Sequence, residues 1–205
     1  MMQEHSPDIE SPSREEDAAS LVASLQAFDQ AAWATLYDQH QARLWRYAYG
    51  RTGDRDVADD IVAQVFVEAL ESIPRFRYTG KPILAWLYRI ARNHLGKRFR
   101  DAKRQFPLSR AEQAAAPPDA ALGTIALFKA VNRLTFSQQE IIRLRFFAGY
   151  TTREIAGVLG KSETAIYSAE VRAMAALRRH LDTSEEKISS VPDENRGVPG
   201  INRVR

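Results

Sequence analysis

Apolar residues recur at helical spacing through two parts of this chain, residues 20–104 and residues 122–181. Between them, residues 105–121 are rich in alanine and contain a Pro-Pro pair, which favours a linker. Residues 1–19 and 182–205 are polar and interrupted by prolines, so we expect both tails to be disordered. The pattern predicts an all-α protein of two small helical domains joined by a flexible linker.

Capping residues predict where the helices of the first domain begin and end. A short helix is expected to start near Asp17, before the main repeats. Asp29 and Asp54 each precede an apolar repeat and are predicted to be N-caps. Gly50 and Gly53 are predicted to end the helix that follows Asp29, because glycine accepts the backbone conformation of a helix terminus.

The last helix of the first domain, predicted over residues 81–104, has one apolar side and one cationic side. The apolar positions are Leu84, Leu87, Ile90, Ala91 and Leu95. The opposite side includes Arg89, Arg92, Asn93, Lys97 and Arg100. Such a face can bind the phosphates of nucleic acid, and nearby aromatic residues could stack on unpaired bases: Phe76, Tyr78, Trp86 and Tyr88. The alternative is a solvated basic face on an ordinary core helix.

The second domain contains a predicted helix-turn-helix. Capping boxes are expected at Ser137 with Glu140 and at Thr151 with Glu154, and Ser162 is expected to cap the last helix. A short helix, a three-residue turn with glycine and a longer helix form the arrangement that reads a DNA groove. The alternative is an ordinary cluster of four helices. The residues placed to contact bases or phosphates are Thr151, Thr152, Arg153, Lys161, Glu163, Thr164, Tyr167 and Ser168.

Charge strengthens the nucleic-acid interpretation. Residues 75–104 hold ten basic residues and one acid, a net charge of +9, and residues 123–181 carry +5. Two basic blocks suggest two contact points on a polyanion. The chain has no cysteine, which excludes disulfides and thiolate metal sites. Without a long apolar run or a leader sequence, we expect a soluble, cytoplasmic protein that does not bind membranes.

Two other classes of function stay open at this point. An enzyme could use a carboxylate cluster, Asp54, Asp56, Asp59 and Asp60, to bind metal for nuclease chemistry. However, Asp54 is a predicted cap, and the four histidines are scattered along the chain. A stand-alone transcriptional regulator could use the helix-turn-helix alone, but it would usually need to dimerise.

Three motifs in this order resemble the bacterial RNA polymerase sigma factors of the extracytoplasmic-function (ECF) type, within the sigma-70 family. They are DDIVAQVFVEAL at 59–70, AWLYRIARN at 85–93 and the block from LTFSQQ to RRHL at 134–181. The resemblance implies a protein without catalytic activity, metal or cofactor. It also implies three partners: core RNA polymerase, promoter DNA and an anti-sigma factor. The first domain would melt the −10 promoter element, and the second would read the −35 element.

The resemblance also assigns residues. The implied contact with core polymerase uses Asp59, Asp60, Gln64 and Phe66. The implied −10 contacts are Arg77, Lys81, Arg89, Arg92, Asn93, Lys97 and Arg100. The implied −35 contacts are the eight helix-turn-helix residues named above together with Arg172. The chain departs from the family pattern at Ala63-Gln64, where a glutamine and an acid are usual, and at residues 166–174, which are less arginine-rich than in many ECF members.

Overall fold

The computed structural model describes residues 12–105 and 122–189, and every regular element within those two ranges is helical. This agrees with the predicted all-α class. The predicted linker and the outer parts of both predicted tails lie outside the described residues.

The first domain consists of four helices and one short 3₁₀ turn. They are α1 (Pro12–Gln26), α2 (Gln30–Thr52), α3 (Arg55–Ser72), the 3₁₀ turn (Ile73–Arg75) and α4 (Ile83–Gln105). The start of α1 at Pro12 corrects the expectation of disorder up to residue 19. Proline suits the first turn of a helix, and acids such as Glu15 and Glu16 are favoured near its N-terminus. Val22 and Leu25 of α1 are buried.

Both predicted caps of the first domain are confirmed. The carboxylate of Asp29 accepts a hydrogen bond from the backbone N–H of Ala32 at 2.7 Å, and that of Asp54 accepts one from Val57 at 3.1 Å. Gly53 adopts the left-handed conformation with φ of 68° and ends α2. Gly50 does not end it. It lies inside α2 and is buried, which corrects its predicted role.

The first domain buries the apolar side of α4, as its periodicity predicted. Five of its apolar residues are buried against α2 and α3: Leu84, Leu87, Ile90, Ala91 and Leu95. Because these positions face the core, the intervening polar positions of α4 are left on the outside.

The second domain has the predicted helix-turn-helix. Its elements are α5 (Leu122–Asn132), α6 (Phe136–Ile142), a π-helical turn (Arg143–Phe147), α7 (Thr152–Leu159) and α8 (Glu163–Ser189). The turn between α7 and α8 contains Gly160 with φ of 66°. Ile166, Ala173 and Leu177 of α8 are buried, as expected. Because α8 runs to Ser189, residues 182–189 are helical and the predicted disordered tail begins too early.

Two of the predicted caps in the second domain are confirmed and one is wrong. Thr151 and Glu154 form a reciprocal capping box, and Ser162 accepts from the backbone of Ala165 at 3.2 Å. By contrast, α6 begins two residues earlier than expected, with Thr135 instead of Ser137 as its N-cap. The side chain of Gln138 accepts a hydrogen bond from the backbone N–H of Thr135 at 3.0 Å. Glu140 is therefore not part of a cap.

The π-helical turn contains one residue more than an α-helical turn would. The backbone N–H of Ala148 donates to the carbonyl of Arg143 at 2.9 Å, which is five residues back instead of the four of an α-helix. This turn directs Arg143 and Phe147 towards the first domain.

The two domains pack against each other. On one side lie α2 and α4, and on the other lie α6, the π-helical turn and α7. We call this contact the domain seam. It is centred on Gly50 and Tyr88 of the first domain and Glu140 and Arg143 of the second.

Candidate nucleic-acid interface

The polar side of α4 forms an exposed cationic face. Its five candidate residues are all exposed: Arg89, Arg92, Asn93, Lys97 and Arg100. In the segment before α4, Arg77 and Lys81 are also exposed. The structure thus brings all seven predicted −10 residues to the surface, because the apolar half of α4 is used for the core.

A cavity of about 520 Å³ opens at the N-terminal end of this face. It is lined by five cationic side chains, Arg75, Arg77, Lys81, Arg89 and Arg92. No acid is present among the described residues that line it. Its aromatic wall is formed by Phe76, Trp86 and Tyr88. The ring centroids of Phe76 and Trp86 lie 4.6 Å apart. The cavity can therefore hold a flat, neutral ring beside a negatively charged backbone.

The expectation that four aromatic residues could stack on bases needs correction. Trp86 and Tyr88 reach the cavity with only a small part of their surface, 7% and 2% exposed, because their positions on α4 fall on its apolar side and pack in the core. Tyr88 also donates a hydrogen bond to Glu140 across the domain seam. Phe76 and Tyr78 are partly exposed, and they remain available for stacking.

The candidate polymerase contacts on α3 divide into two groups. Asp59, Asp60 and Gln64 are exposed, and Asp59 accepts a hydrogen bond from the indole N–H of Trp45 at 2.7 Å. Phe66 is only 8% exposed and packs on the ring of Tyr37 with a centroid distance of 4.8 Å. We therefore reassign Phe66 from a polymerase contact to a core residue. Its side chain faces away from the surface that Asp59, Asp60 and Gln64 share.

Two of the four carboxylates considered for a metal-dependent enzyme have other contacts in the structure. Asp54 caps α3, and Asp59 is hydrogen-bonded to Trp45. Within residues 12–105 and 122–189 no three His, Cys, Asp or Glu side chains come together in a way that could hold a metal ion. Nor does any helix in these ranges have the length and apolar character needed to cross a membrane.

The N-terminal part of α8 presents a different kind of surface. Glu163, Thr164 and Tyr167 are exposed, with Tyr167 exposed to 64%. Arg153 lies 3.9 Å from Glu163, so an acid accompanies this cation. The remaining candidates are exposed or partly exposed: Thr151, Thr152, Lys161, Ser168 and Arg172. Tyr167 and Thr152 line a cavity of about 450 Å³ that also contains Val171 and Met174.

The residues of the domain seam were not found from the sequence. Glu140 is 2% exposed and accepts hydrogen bonds from the hydroxyls of Tyr47, at 3.1 Å, and Tyr88, and from Arg51 at 3.2 Å. Burial raises the pKa of both tyrosines, and the negative charge of Glu140 adds to this. The sequence carried no signal for this burial, because glutamate is mostly solvent-exposed and is almost never fully buried unless it is paired.

Arg143 completes the buried polar group. Its Nε donates to the carbonyl of Gly50 at 2.9 Å, and its other nitrogens donate to Gln139 and Asn132. Gly50 is in the last turn of α2, where carbonyls have no partner within the helix, so a cation of one domain caps a helix of the other. Burial, together with the nearby charge of Arg51, lowers the pKa of Arg143 to about 10, and the side chain stays protonated at neutral pH.

A second polar contact lies at the edge of the seam. Both terminal nitrogens of Arg43 bind the carboxylate of Glu154, at 2.6 and 2.9 Å, and Arg43 also covers the ring of Tyr150 at 4.5 Å. Burial alone would raise the pKa of Glu154, but hydrogen bonds from Arg43 and Thr151 outweigh it and lower the pKa. His40, beside them, has a lowered pKa because of burial and then because of the charge of Arg43.

Comparison with known proteins matches both domains to one family. Residues 36–105 match the model of sigma-70 region 2, and residues 130–179 match that of sigma-70 region 4. The chain is 36% identical to the ECF RNA polymerase sigma factor BldN of Streptomyces coelicolor, over 83% of this chain and 69% of that protein. It is 32% identical to the ECF RNA polymerase sigma factor SigL of Mycobacterium tuberculosis, over 77% of this chain and 93% of that protein.

A solved structure supports the same relationship. CnrH in complex with the cytosolic domain of CnrY is 28% identical to this chain and superposes with a TM-score of 0.58, over 81% of this chain and 97% of CnrH. Since both sigma-70 regions are present in order, and relatives above 30% identity align over most of their own length, the chain belongs to the ECF family of RNA polymerase sigma factors.

Proposed function

We propose that this protein joins core RNA polymerase and gives it promoter specificity, with the first domain holding the opened −10 element and the second domain contacting the −35 element. The observation that carries the proposal is the cationic face of α4 beside a 520 Å³ cavity that has an aromatic wall and no acid among its described lining residues. A solvated basic face on a core helix would not require such a cavity.

The cavity suits a flipped base. Removing a base from the stack costs a few kcal/mol, which must be offset by new stacking and by phosphate contacts. Phe76 can supply the stacking surface, and Arg77, Lys81, Arg89 and Arg92 can supply the charge. Asn93, Lys97 and Arg100 extend the same face along α4, where the rest of the single strand would lie.

The second domain contributes through the start of α8. Thr164, Tyr167 and Ser168 can face base edges or thymine methyl groups, while Lys161 and Arg153 are suited to phosphates. The first domain meets polymerase through the exposed acids and glutamine of α3. We assign the protein no catalytic activity of its own, place it in the cytoplasm with the polymerase, and propose an anti-sigma factor as a further partner.

Reconstituted transcription tests the proposal. The purified chain is mixed with a bacterial core RNA polymerase and a promoter library, and the transcripts are sequenced. We expect start sites that share two elements, one near −10 and one near −35, and no such transcripts from core polymerase alone. Opening or cleavage of DNA by the chain without polymerase would overturn the proposal, as would failure to bind core polymerase. Strong binding to duplex DNA as a dimer would instead favour the stand-alone regulator.

A further inference from the structure

Gln26, in the last turn of α1, binds the backbone that carries one wall of the cavity beside α4. Its side-chain nitrogen Nε2 donates to the carbonyl of Phe76 at 2.8 Å and to that of Ile73 at 3.2 Å. These carbonyls belong to the first residue of the 3₁₀ turn and to the residue directly after it. One amide therefore ties both ends of a turn that lies 47 to 50 residues further along the chain.

The tied segment supplies the stacking surface proposed for the flipped base. The ring of Phe76 is partly exposed and lies 4.6 Å from the ring of Trp86, measured between centroids. Arg75 and Arg77 flank Phe76 in the sequence, and both line the same cavity. Because these side chains are consecutive, the orientation of the backbone at Phe76 sets where the ring and the two charges point.

This segment has little regular structure of its own. The backbone N–H of Phe76 donates to the carbonyl of Ile73 at 3.0 Å, but residues 76–82 belong to no helix or strand. Pro74, inside the turn, has no N–H to donate. A stretch of backbone with few hydrogen bonds opens easily, so its conformation depends on contacts from elsewhere in the fold. The amide of Gln26 is such a contact.

The end of α1 is fixed firmly enough to support the turn. Leu25, next to Gln26, is fully buried. The backbone N–H of Phe28 donates to the carbonyl of Leu25 at 3.1 Å, and that of Asp29 donates to Ser24 at 3.0 Å. With Phe28 in the left-handed region, at φ of 57°, these bonds form a Schellman motif. The last turn of α1 is therefore closed, and the position of Gln26 in it is defined.

We infer that Gln26 is a positioning residue for strand opening, because its amide holds Phe76 against Trp86 before the flipped −10 base arrives. This inference rests on the proposed function, which assigns that base to the cavity. Gln26 is not among the described residues that line the cavity, so it acts through Phe76 and not by touching DNA. The alternative is that its hydrogen bonds support only the fold of the first domain.

The physical gain is preorganisation of the stacking surface. Stacking of one base on an aromatic ring is a modest contribution, and the ordering of a mobile loop would consume part of it. A ring that is fixed in advance keeps the whole contribution for strand opening. The effect of Gln26 should therefore fall on the opening step and not on the earlier binding of closed duplex DNA, which involves no flipped base.

Gln26→Met tests the inference, because it removes the amide donor and keeps an unbranched side chain of similar length. Gln39→Met is the matched control, since it makes the same change at an exposed position of α2. In complex with core RNA polymerase, both variants should bind closed promoter DNA at low temperature as tightly as the unchanged protein. The rate of opening should fall about tenfold in Gln26→Met only, as expected for the loss of two modest hydrogen bonds. The rise of permanganate reactivity of promoter thymines with time measures this rate.

Abasic promoters separate positioning of the ring from a general effect on the fold. The base is removed from one position of the −10 non-template strand at a time. At the position whose base enters the cavity, its removal should slow opening by the unchanged protein, and Gln26→Met should then cause no further slowing. A defect in the fold would slow Gln26→Met by the same factor on every promoter.

The position of Phe76 can also be followed without DNA or polymerase. When para-fluorophenylalanine replaces Phe76, the nearby ring of Trp86 shifts the fluorine NMR resonance of the label. We expect this resonance to move towards its value in the unfolded chain in Gln26→Met. In Gln39→Met it should stay where it is in the otherwise unchanged protein.

Equal opening rates for Gln26→Met and Gln39→Met would overturn the inference. So would an equal slowing of Gln26→Met on every abasic promoter, or a fluorine resonance that does not move. The proposed function fails differently. If the unchanged chain never joins polymerase, that function is wrong, while the fluorine measurement still decides whether Gln26 positions Phe76.

Discussion

The two candidate DNA-binding surfaces of this protein differ in charge and in the kind of contact that they can make. The α4 face is mostly cationic, and it adjoins a cavity that has an aromatic wall and no acid among its described lining residues. The start of α8 mixes Lys161, Glu163 and the exposed ring of Tyr167. Charge without acids attracts a phosphate backbone irrespective of sequence, whereas mixed polar and aromatic groups distinguish base edges. Under the proposed function, this difference predicts that the first domain holds DNA and that the second domain selects its sequence.

The largest effect is expected from Arg89→Ala combined with Arg92→Ala. Each charge-assisted contact contributes about 1.5–3 kcal/mol, so loss of both should reduce open-complex formation about 100-fold or more. Permanganate reactivity of unpaired thymines in the promoter measures open-complex formation. Arg98→Ala is the control, because this exposed arginine of α4 does not line the cavity. Loss of binding to polymerase in the double variant would show that this face has another role.

The next effect concerns assembly. Asp60→Ala should weaken binding to core polymerase about tenfold, the typical result of losing one charge-assisted contact, while DNA melting by the assembled complex continues. Titration of labelled protein with core polymerase measures it. Glu71→Ala removes an exposed acid from the same helix and should leave the affinity unchanged. Normal affinity of Asp60→Ala would argue against the contact on α3.

Two variants of the second domain separate contacts that hold any DNA from contacts that distinguish between DNA sequences. Lys161→Ala should weaken binding of the polymerase complex to all promoters alike and reduce the salt dependence by about one phosphate contact. Tyr167→Ala should leave the salt dependence unchanged and cost about 1 kcal/mol on preferred −35 sequences only. Affinities for a set of −35 variants at several salt concentrations separate the two effects. A uniform loss of affinity for all −35 variants in Tyr167→Ala would show that Tyr167 does not distinguish between −35 sequences.

The smallest effect is a pH dependence of the seam. Burial and the charge of Arg43 lower the pKa of His40 while the two domains are packed together, and the negative charge of Glu154 on α7 opposes this lowering only partly. The packed arrangement of the two domains should therefore be fully stable above about pH 6.5, the ordinary pKa of histidine. Below that pH it should lose stability, because His40 binds a proton more readily when the domains are apart. Glu154 stays ionised in this window, because its own pKa is lowered.

Resonance energy transfer measures this effect, with dyes on cysteines introduced by Glu71→Cys in the first domain and Ala175→Cys in the second, both at exposed positions. The efficiency should fall modestly, by less than half, between about pH 7 and pH 5.5. His40→Gln should abolish the change, and His94→Gln, made at a residue paired with Glu68 inside the first domain, should not. A pH response that persists in His40→Gln would assign it to another group.

Local features of the fold were predictable from the sequence, and contacts between distant segments were not. Asp29, Asp54 and Thr151 cap helices through backbone groups three residues away, so their role follows from neighbouring residues. Glu140 has the same local pattern as a capping residue, but its partner Tyr88 is 52 residues away. Only tertiary packing decides between the two roles. Phe66 was misassigned for the same reason, since a motif does not indicate which side of a helix is buried.

The π-helical turn at Arg143–Phe147 has a consequence for how relatives of this protein can diverge. Deleting one residue there would convert the turn to an α-helical one and rotate Phe147 and the residues after it by about 100° relative to α6. Such a change would leave every proposed DNA-contacting side chain in the sequence while removing Phe147 from Gly50. Single-residue insertions and deletions at this position could therefore change how the two domains contact each other, independently of the side chains proposed to contact DNA.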